Sequence, residues 1–213
     1  MADKTLAIIG AGHLGQQIAH FATSDNHFKT VIYFDDFVKE KTVKGFPVIG
    51  NLSAITQAFD EGKFDEIIIG IGYKHLSARK EFFERFQQII PFATIIHSSS
   101  WIDPTSEIKA GSVIYPSCVI DQRVVISENS ILNLNCTISH DSIIGKNCFL
   151  SPSVSIAGFV FVGESCNIGI NSTIIDNVQI ISNTQTGGGT VVINNIEKSG
   201  LYIGNPHKFL KSI

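Results

Sequence analysis

The chain of 213 residues is long enough for one or two domains. Its formal net charge is −3, its pI is near 6.1, and it has no run of Lys and Arg, which argues against a nucleic-acid-binding surface. No apolar run reaches the ~18 residues of a membrane span, and the opening Met-Ala-Asp-Lys-Thr with its short apolar sequel is too short for a signal peptide. The expected location is the cytoplasm, with neither membrane nor nucleic acid as a partner.

From residue 5 to about 97 the pattern alternates between strands and helices. Leu6 to Ile9 predicts a buried strand. Gly10-Ala11-Gly12-His13-Leu14-Gly15 follows, then a helix with Leu14, Ile18 and Phe21 on one face. Val31 to Phe34 predicts a second strand, ending at Asp35-Asp36. Ser53 is placed to cap a short helix over 54–59. Glu66 to Ile69 predicts a third strand, running into Gly70-Ile71-Gly72. A helix over 76–89 and a strand near 93–96 complete a set of about four strands. Such alternation implies a parallel sheet of Rossmann type, whose ligands bind at the carboxyl ends of the strands. Gly10 to Gly15, Asp35-Asp36 and Gly70 to Gly72 all fall at such ends.

From Ile102 the period changes to six. An aliphatic residue stands at every sixth position from 102 to 192, with Thr186 the one exception. Four places after each stands Ser, Thr, Cys, Val or Ile. A period of six fits neither a helix nor an alternating strand. It fits a prism-shaped parallel β-helix, with one short strand and one corner per hexad and three hexads per coil. Residues 18 apart then stack at about one strand spacing, roughly 4.8 Å. Both repeated positions point inward. The register begins after His97-Ser98-Ser99-Ser100 and fails at Lys198, which would have to point inward. The expected segments are a Rossmann-like domain over 1–98, a β-helix over 99–198 and a tail over 199–213.

Cys118, Cys136, Cys148 and Cys166 all occupy the small inward position, which predicts free buried thiols used as small hydrophobes. There is no CxxC, and no metal is expected.

The first glycine loop matches G-x-G-x-x-G between a strand and a helix, with Asp35 twenty residues past Gly15. This predicts a phosphate cradle at a helix N-terminus, with the acidic pair toward a ribose or base. NAD would be read from the same letters, but four strands make half a dinucleotide fold and no hydride-transfer residues follow. A tight turn without a ligand is the remaining alternative. His13 lies inside the loop, in reach of a ligand.

His140, in Ile138-Ser139-His140-Asp141-Ser142, falls by a corner at the third place of its hexad and faces outward. An outward histidine is most often a solvated surface residue. Here Asp141 is adjacent and can bond the imidazole. Gly158 stacks one coil above, where a missing side chain leaves room and exposes a backbone N–H. A base beside a backbone donor is what acyl transfer needs. Gly187-Gly188-Gly189 falls at the hexad that lacks its aliphatic, either as a strained corner or as the close approach of an extended ligand arm.

These motifs, with Phe34 to Phe37, Ile96-His97-Ser98, Ile144-Gly145, Gly169 to Ser172 and Ile203-Gly204-Asn205-Pro206, resemble the NeuD/PglD group of sugar acetyltransferases in the hexapeptide-repeat superfamily. The resemblance covers nearly the whole chain. It implies a left-handed β-helix and a homotrimer with active sites between subunits. It implies acetyl-CoA along the β-helix, near Gly158, Ile170, Gly188, Gly204 and Pro206. A nucleotide-linked amino sugar would lie against Gly10, Gly12, His13, Gly15, Asp35, Asp36 and Gly72. His140 matches the family's general base and Asp141 its acidic partner. The implied reaction is N-acetylation of a nucleotide-linked amino sugar, of the 4-amino-4,6-dideoxy type, in bacterial surface-glycan (O-antigen) biosynthesis. The alternatives are O-acetylation of a sugar such as sialic acid, and a non-enzymatic protein that binds a nucleotide or NAD. The sequence departs from the group twice. The loop histidine commonly comes one place later than His13, and Glu often stands where Asp141 does. The shorter carboxylate is expected to meet a different imidazole atom or to act through water.

Overall fold

The structure, a computed structural model, describes residues 4–213. Residues 1–3, the start of the 1–98 segment and of the stretch weighed as a signal peptide, lie outside the described residues. The chain divides into two compact units between Ile95 and Ile96.

The first unit contains β1 (Thr5–Ile9), α1 (His13–Ser24), β2 (Thr30–Phe34), β3 (Thr42–Val43), β4 (Phe46–Gly50), α2 (Ile55–Asp60), β5 (Glu66–Ile69) and α3 (Leu76–Phe86). The sheet order is β3-β4-β2-β1-β5. β1 is central and pairs in parallel with β2 and β5. Its run Leu6 to Ile9 is fully buried, as a strand in a parallel sheet covered by helices should be. Ile9, Phe34 and Ile69 share one core with Ile55 of α2 and Phe83 and Phe86 of α3.

Several expectations change here. The sheet has five strands, because 42–50 is a hairpin. Lys44 and Gly45 both take positive φ (51° and 86°) and turn Thr42-Val43 back on Phe46-Pro47, and β4 then pairs with β2. A two-residue turn with both φ positive suits the strand twist; Lys-Gly announces it more weakly than Asn-Gly would. Helix α1 buries Gly15, Ile18, Ala19 and Ala22, not a stripe centred on Leu14 and Phe21. The cause is Gly15, whose Cα lies so close to the Gly10 carbonyl that a Cβ would sit 2.0 Å from its oxygen. That contact fixes which side of the helix faces the sheet. Ser53 does not cap α2. It lies in a 3₁₀ turn, Leu52–Ala54, and its hydroxyl donates to Asn51 Oδ1 at 2.8 Å. Helix α3 ends at Phe86, Phe92 bridges Ile67, and the expected last strand, now Ile95–Ile96, joins the sheet of Val113–Ile114 as the first rung of the solenoid, one hexad before Ile102.

In the second unit each hexad gives one two-residue strand, and strands 18 apart pair in parallel. Ile120 sits between Ile102 and Ile138, Ile126 between Ile108 and Ile144, and Leu132 between Ile114 and Leu150. Three flat faces result, and the aliphatic positions fill one continuous core. Each coil buries its apolar side only by stacking on its neighbours. The fourth place of most hexads takes positive φ, which turns the chain through the corner. The small inward residue then closes the corner. Ser130 and Ser142 donate to the carbonyls of Gly145 and Ala157, both at 2.9 Å, and their oxygens receive the N–H of Cys148 and Val160, both at 3.1 Å. Cys136 and Cys148 act in the same way through sulfur, toward the carbonyls of Ser151 and Gly163. All four cysteines are free and buried.

Thr186, the break in the aliphatic series, is buried but satisfied. Its oxygen takes the Gly169 N–H at 2.8 Å and bonds the Ser172 hydroxyl at 3.0 Å. The 199–213 segment is more than a tail. Gly200–Ile203 lies parallel on Thr184–Thr186, and Lys208–Lys211 turns back antiparallel on it. Tyr202, not Lys198, is the buried residue here, and its hydroxyl donates to the Lys198 carbonyl at 2.7 Å. An antiparallel strand laid on the last coil covers an edge that would otherwise invite further pairing. No helix among the described residues is long and apolar enough to cross a membrane.

Candidate active site

Two groups of the expected residues are assembled, one in each unit. In the first, the carboxyl ends of β1, β2 and β5 carry the glycine loop, Asp35 and Gly70-Ile71-Gly72. The glycines do different jobs. Gly10 adopts φ +97°, which only glycine takes freely. Gly15 and Gly70 are places of close backbone approach, where added Cβ atoms would lie 2.0 Å and 2.6 Å from backbone. Gly12 and Gly72 have nothing within 4 Å of a built Cβ, so these two face open space. His13 is the first residue of α1 and is exposed, with Gly12 at the N-cap. The acidic pair also divides. Asp35 is occupied by the loop: Oδ2 accepts the Ala11 N–H at 2.8 Å, and Oδ1 accepts those of Phe37 and Val38 at 2.8 and 3.0 Å. Asp36 is exposed and takes the Leu52 N–H on one oxygen at 2.9 Å. Asp35 therefore builds the cradle, and Asp36 is the carboxylate better placed to meet a ligand. Below these loops the buried Arg79 donates through Nη1 to the carbonyls of Ile69 and Ile71, at 3.0 and 2.9 Å, and so fixes the third strand end.

This sorting makes a prediction. Gly15→Ala forces the backbone of α1 off the sheet and costs on the order of 2 kcal/mol or more, a drop of roughly 10 °C in the melting temperature of a domain this size. Gly12→Ala, at an ordinary φ of −70°, keeps the stability. Thermal melts of the two variants check this.

In the second unit, His140 stands at a corner with its side chain 45% exposed. Its Nδ1 lies 2.9 Å from Asp141 Oδ2. The contact is direct, to the near ring nitrogen, and needs no water. Asp141 is also held by Arg123, whose Nε and Nη2 donate to Oδ1 and Oδ2 at 2.6 and 2.8 Å. The Arg123 hydrogen bonds, and then the bond to His140, push the Asp141 carboxyl down to about 2. An ionised carboxylate only accepts, so in the neutral ring Nδ1 carries the proton and Nε2 the lone pair.

Gly158 lies against the other side of the ring. A Cβ there would be 2.7 Å from His140 Cε1 and 3.0 Å from Nε2. The N–H at the third place of a hexad plays no part in the coil-to-coil backbone ladder, which is why proline can stand there, at Pro104, Pro116 and Pro152. The Gly158 N–H has no acceptor among the described residues. Phe159, next along, is 57% exposed and sets its ring edge-on to the imidazole, with centroids 5.2 Å apart.

The remaining expected residues lie at another corner. Ile170 follows Asn167–Ile168 and Gly188 follows Thr184–Thr186, both on a different face from Thr137–Ile138, which leads to His140. Ile170 and Gly188 do meet: a Cβ on Gly188 would be 3.0 Å from Ile170 Cγ2. Gly204 joins this end of the solenoid, its carbonyl accepting the Val191 N–H at 3.0 Å, and Pro206 precedes His207, whose N–H donates to the Val191 carbonyl. One chain thus carries a His140–Gly158 corner and, separately, an Ile170–Gly188 corner. Among the described residues no group of three or more His, Cys, Asp or Glu is placed to hold a metal ion. Arg123 and Phe159 did not stand out in the sequence. Only the positive φ of their corners, 55° and 57°, marks them as unusual.

The model of the PglD N-terminal domain family matches residues 5–86. The whole chain is similar to the acetyltransferase domain of PglB from Neisseria gonorrhoeae FA1090, at 26% identity and a TM-score of 0.91 over 97% of this chain and 100% of that one. The same domain in complex with acetyl coenzyme A gives 25% identity and 0.89, over 98% and 100%. PerB from Caulobacter crescentus, in complex with CoA and GDP-perosamine, shares the fold at 24% identity and a TM-score of 0.85, with 99% of each chain covered. The comparison with curated proteins found no match. Residues 5–86 thus match the PglD N-terminal domain family, and the chain as a whole has the architecture of the hexapeptide-repeat acetyltransferases, a small Rossmann-like α/β domain followed by a left-handed parallel β-helix.

Proposed function

We propose that this acyltransferase moves an acetyl group from acetyl-CoA to the amine of a nucleotide-linked amino sugar. The observation that carries the reading is the His140 corner: Nδ1 fixed by Asp141, Nε2 free, and an unused backbone N–H at Gly158 beside it. Support comes from the likeness to the PglB acetyltransferase domain, which has been seen with acetyl coenzyme A.

In this reading the sugar amine attacks the thioester carbonyl as a neutral nucleophile. His140 Nε2 accepts the proton that the nitrogen sheds. The Gly158 N–H faces the oxygen on which negative charge develops, a donor of a kind worth ~3 kcal/mol in comparable sites. The CoA thiolate leaves and takes a proton, with His140 as the donor at hand. No acyl-enzyme is called for, because both substrates are held together, and all four cysteines are buried in the coil. Gly12, Asp36 and Gly72 are assigned to the nucleotide end of the substrate. Ile170, Gly188, Gly204 and Pro206 are assigned to CoA. Their corner differs from that of His140, which supports a homotrimer in which one copy's CoA corner faces the next copy's base. The enzyme is assigned to the cytoplasm, to bacterial surface-glycan synthesis, and to sugars of the 4-amino-4,6-dideoxy type.

Thiol release from acetyl-CoA, assayed with UDP-, dTDP- and GDP-linked amino sugars and with free sialic acid, tests the proposal. The expected result is turnover with one amino-sugar nucleotide and an acetamido product. Turnover with sialic acid alone would replace it by O-acetylation. Silence across the panel, with tight NAD binding, would remove the transferase reading.

A further inference from the structure

The left-handed corners of the solenoid are filled to a rule, and the rule breaks in one place. At positive φ the β-helix otherwise uses Asn, Asp, Ser or Gly, of which Asn, Asp and Gly tolerate that conformation best. The exceptions are Arg123 (φ 55°) and Phe159 (φ 57°), one coil to either side of Asp141 (φ 59°). The three are 18 residues apart, so they form one vertical column at one corner, and that column runs beside His140. A long cation and an aromatic ring are both disfavoured at positive φ, and such conflicts between local preference and fold gather at functional sites.

The side chains of the column interlock. Arg123 meets the Asp141 carboxylate through Nε and Nη2, a two-pronged geometry that Lys cannot copy. Arg123 is itself placed from the coil below. Its backbone N–H donates to Thr105 Oγ1 at 3.0 Å, the Thr105 hydroxyl donates to Asp103 Oδ1 at 2.6 Å, and Arg123 Nη1 donates to Gln122 Oε1 at 3.2 Å. From above, Phe159 abuts the imidazole. A lone Asp on an exposed corner would have several rotamers. Clamped by the guanidinium, it has one, and that one aims Oδ2 at Nδ1.

We infer that Arg123 is a positioning residue for the reaction proposed above: it acts on the base through Asp141, fixing the ring so that Nε2 faces the substrate and balancing the carboxylate charge. The inference rests on His140 being the base. The other charges facing Arg123 are Asp103 and Asp121, both acidic, so the guanidinium is the cation of this corner that offsets the Asp141 carboxylate.

The test is Arg123→Ala and Arg123→Lys in the full-length enzyme, with kcat and KM for both substrates measured from pH 5 to 9. Arg123 is 57% exposed, so the variants should fold; a thermal melt checks this. Arg123→Ala should lower kcat about tenfold with both KM values within twofold. Arg123→Lys should recover only part of that rate, since it returns the charge without the fork. An unchanged kcat in Arg123→Ala, or full rescue by Arg123→Lys, would overturn the inference and leave the transferase reading intact. A wild-type enzyme with no acetyl transfer to any amino sugar would instead sink the underlying reading.

Discussion

His140→Ala is expected to lower kcat by about 10²-fold or more, with KM for acetyl-CoA and the melting temperature nearly unchanged. The stability half of the expectation follows from position. The ring is on the outside of the coil and half exposed. The inward residues around it, Ile138 and Ser142, are fully buried and untouched by the change. The backbone carbonyl of residue 140 still receives the Phe159 N–H at 3.1 Å. The rate half follows from chemistry: no other side chain in that column can accept a proton near neutrality, because Asp141 is held down near 2 by Arg123 and His140. His140→Asn separates shape from basicity, since it keeps polar atoms but takes up no proton. It should be nearly as slow as the alanine variant. Turnover within a few-fold of wild type in both variants would strip His140 of its role.

The second large effect is expected from a residue with no side chain. Gly158→Ala should cost roughly 10²-fold in kcat while the coil stays folded. Gly158 does not occupy the left-handed region, so its backbone accepts alanine. The added methyl would lie 2.7 Å from His140 Cε1, and something has to move. What moves is the imidazole, because it is the free end of a side chain, whereas the coil is locked by the bonds Phe159 N–H to His140 O and Asn177 N–H to Gly158 O. A swung ring loses its bond to Asp141 and no longer points Nε2 at the amine. The double variant His140→Ala/Gly158→Ala provides the control. If glycine matters by making room for the ring, the double variant should be hardly slower than His140→Ala alone. Fully multiplicative losses would show that the added methyl acts independently of His140, for instance by crowding the substrate.

Much of this site was legible in the sequence because a solenoid converts spacing into height. A period of six with three faces puts residue 158 over residue 140 by arithmetic, and the same arithmetic places Ile170 beneath Gly188. The left-handed corners were less legible. Arg123 lies 18 before Asp141, yet nothing in the letters states that a corner prefers Asn or Ser until the backbone angles are seen. In the first unit the letters G-x-G-x-x-G were plain, but their division of labour was not. Gly12 and Gly15 look equivalent in the motif, and only the packing of α1 on β1 shows that one is open and the other is pressed against a carbonyl. Asp35 was read as a ligand group and proves to be tied to the Ala11, Phe37 and Val38 amides, a role that depends on how the ends of two strands meet.

By itself the sequence determined which positions face the core of the β-helix and which residues stand above one another, because stacking of identical turns makes both a function of residue number. The tertiary structure decided which nitrogen of His140 meets Asp141, which guanidinium grips that carboxylate, and which glycines are open. Those depend on side-chain reach and on the approach of segments that no period relates, and only the folded coordinates contain them.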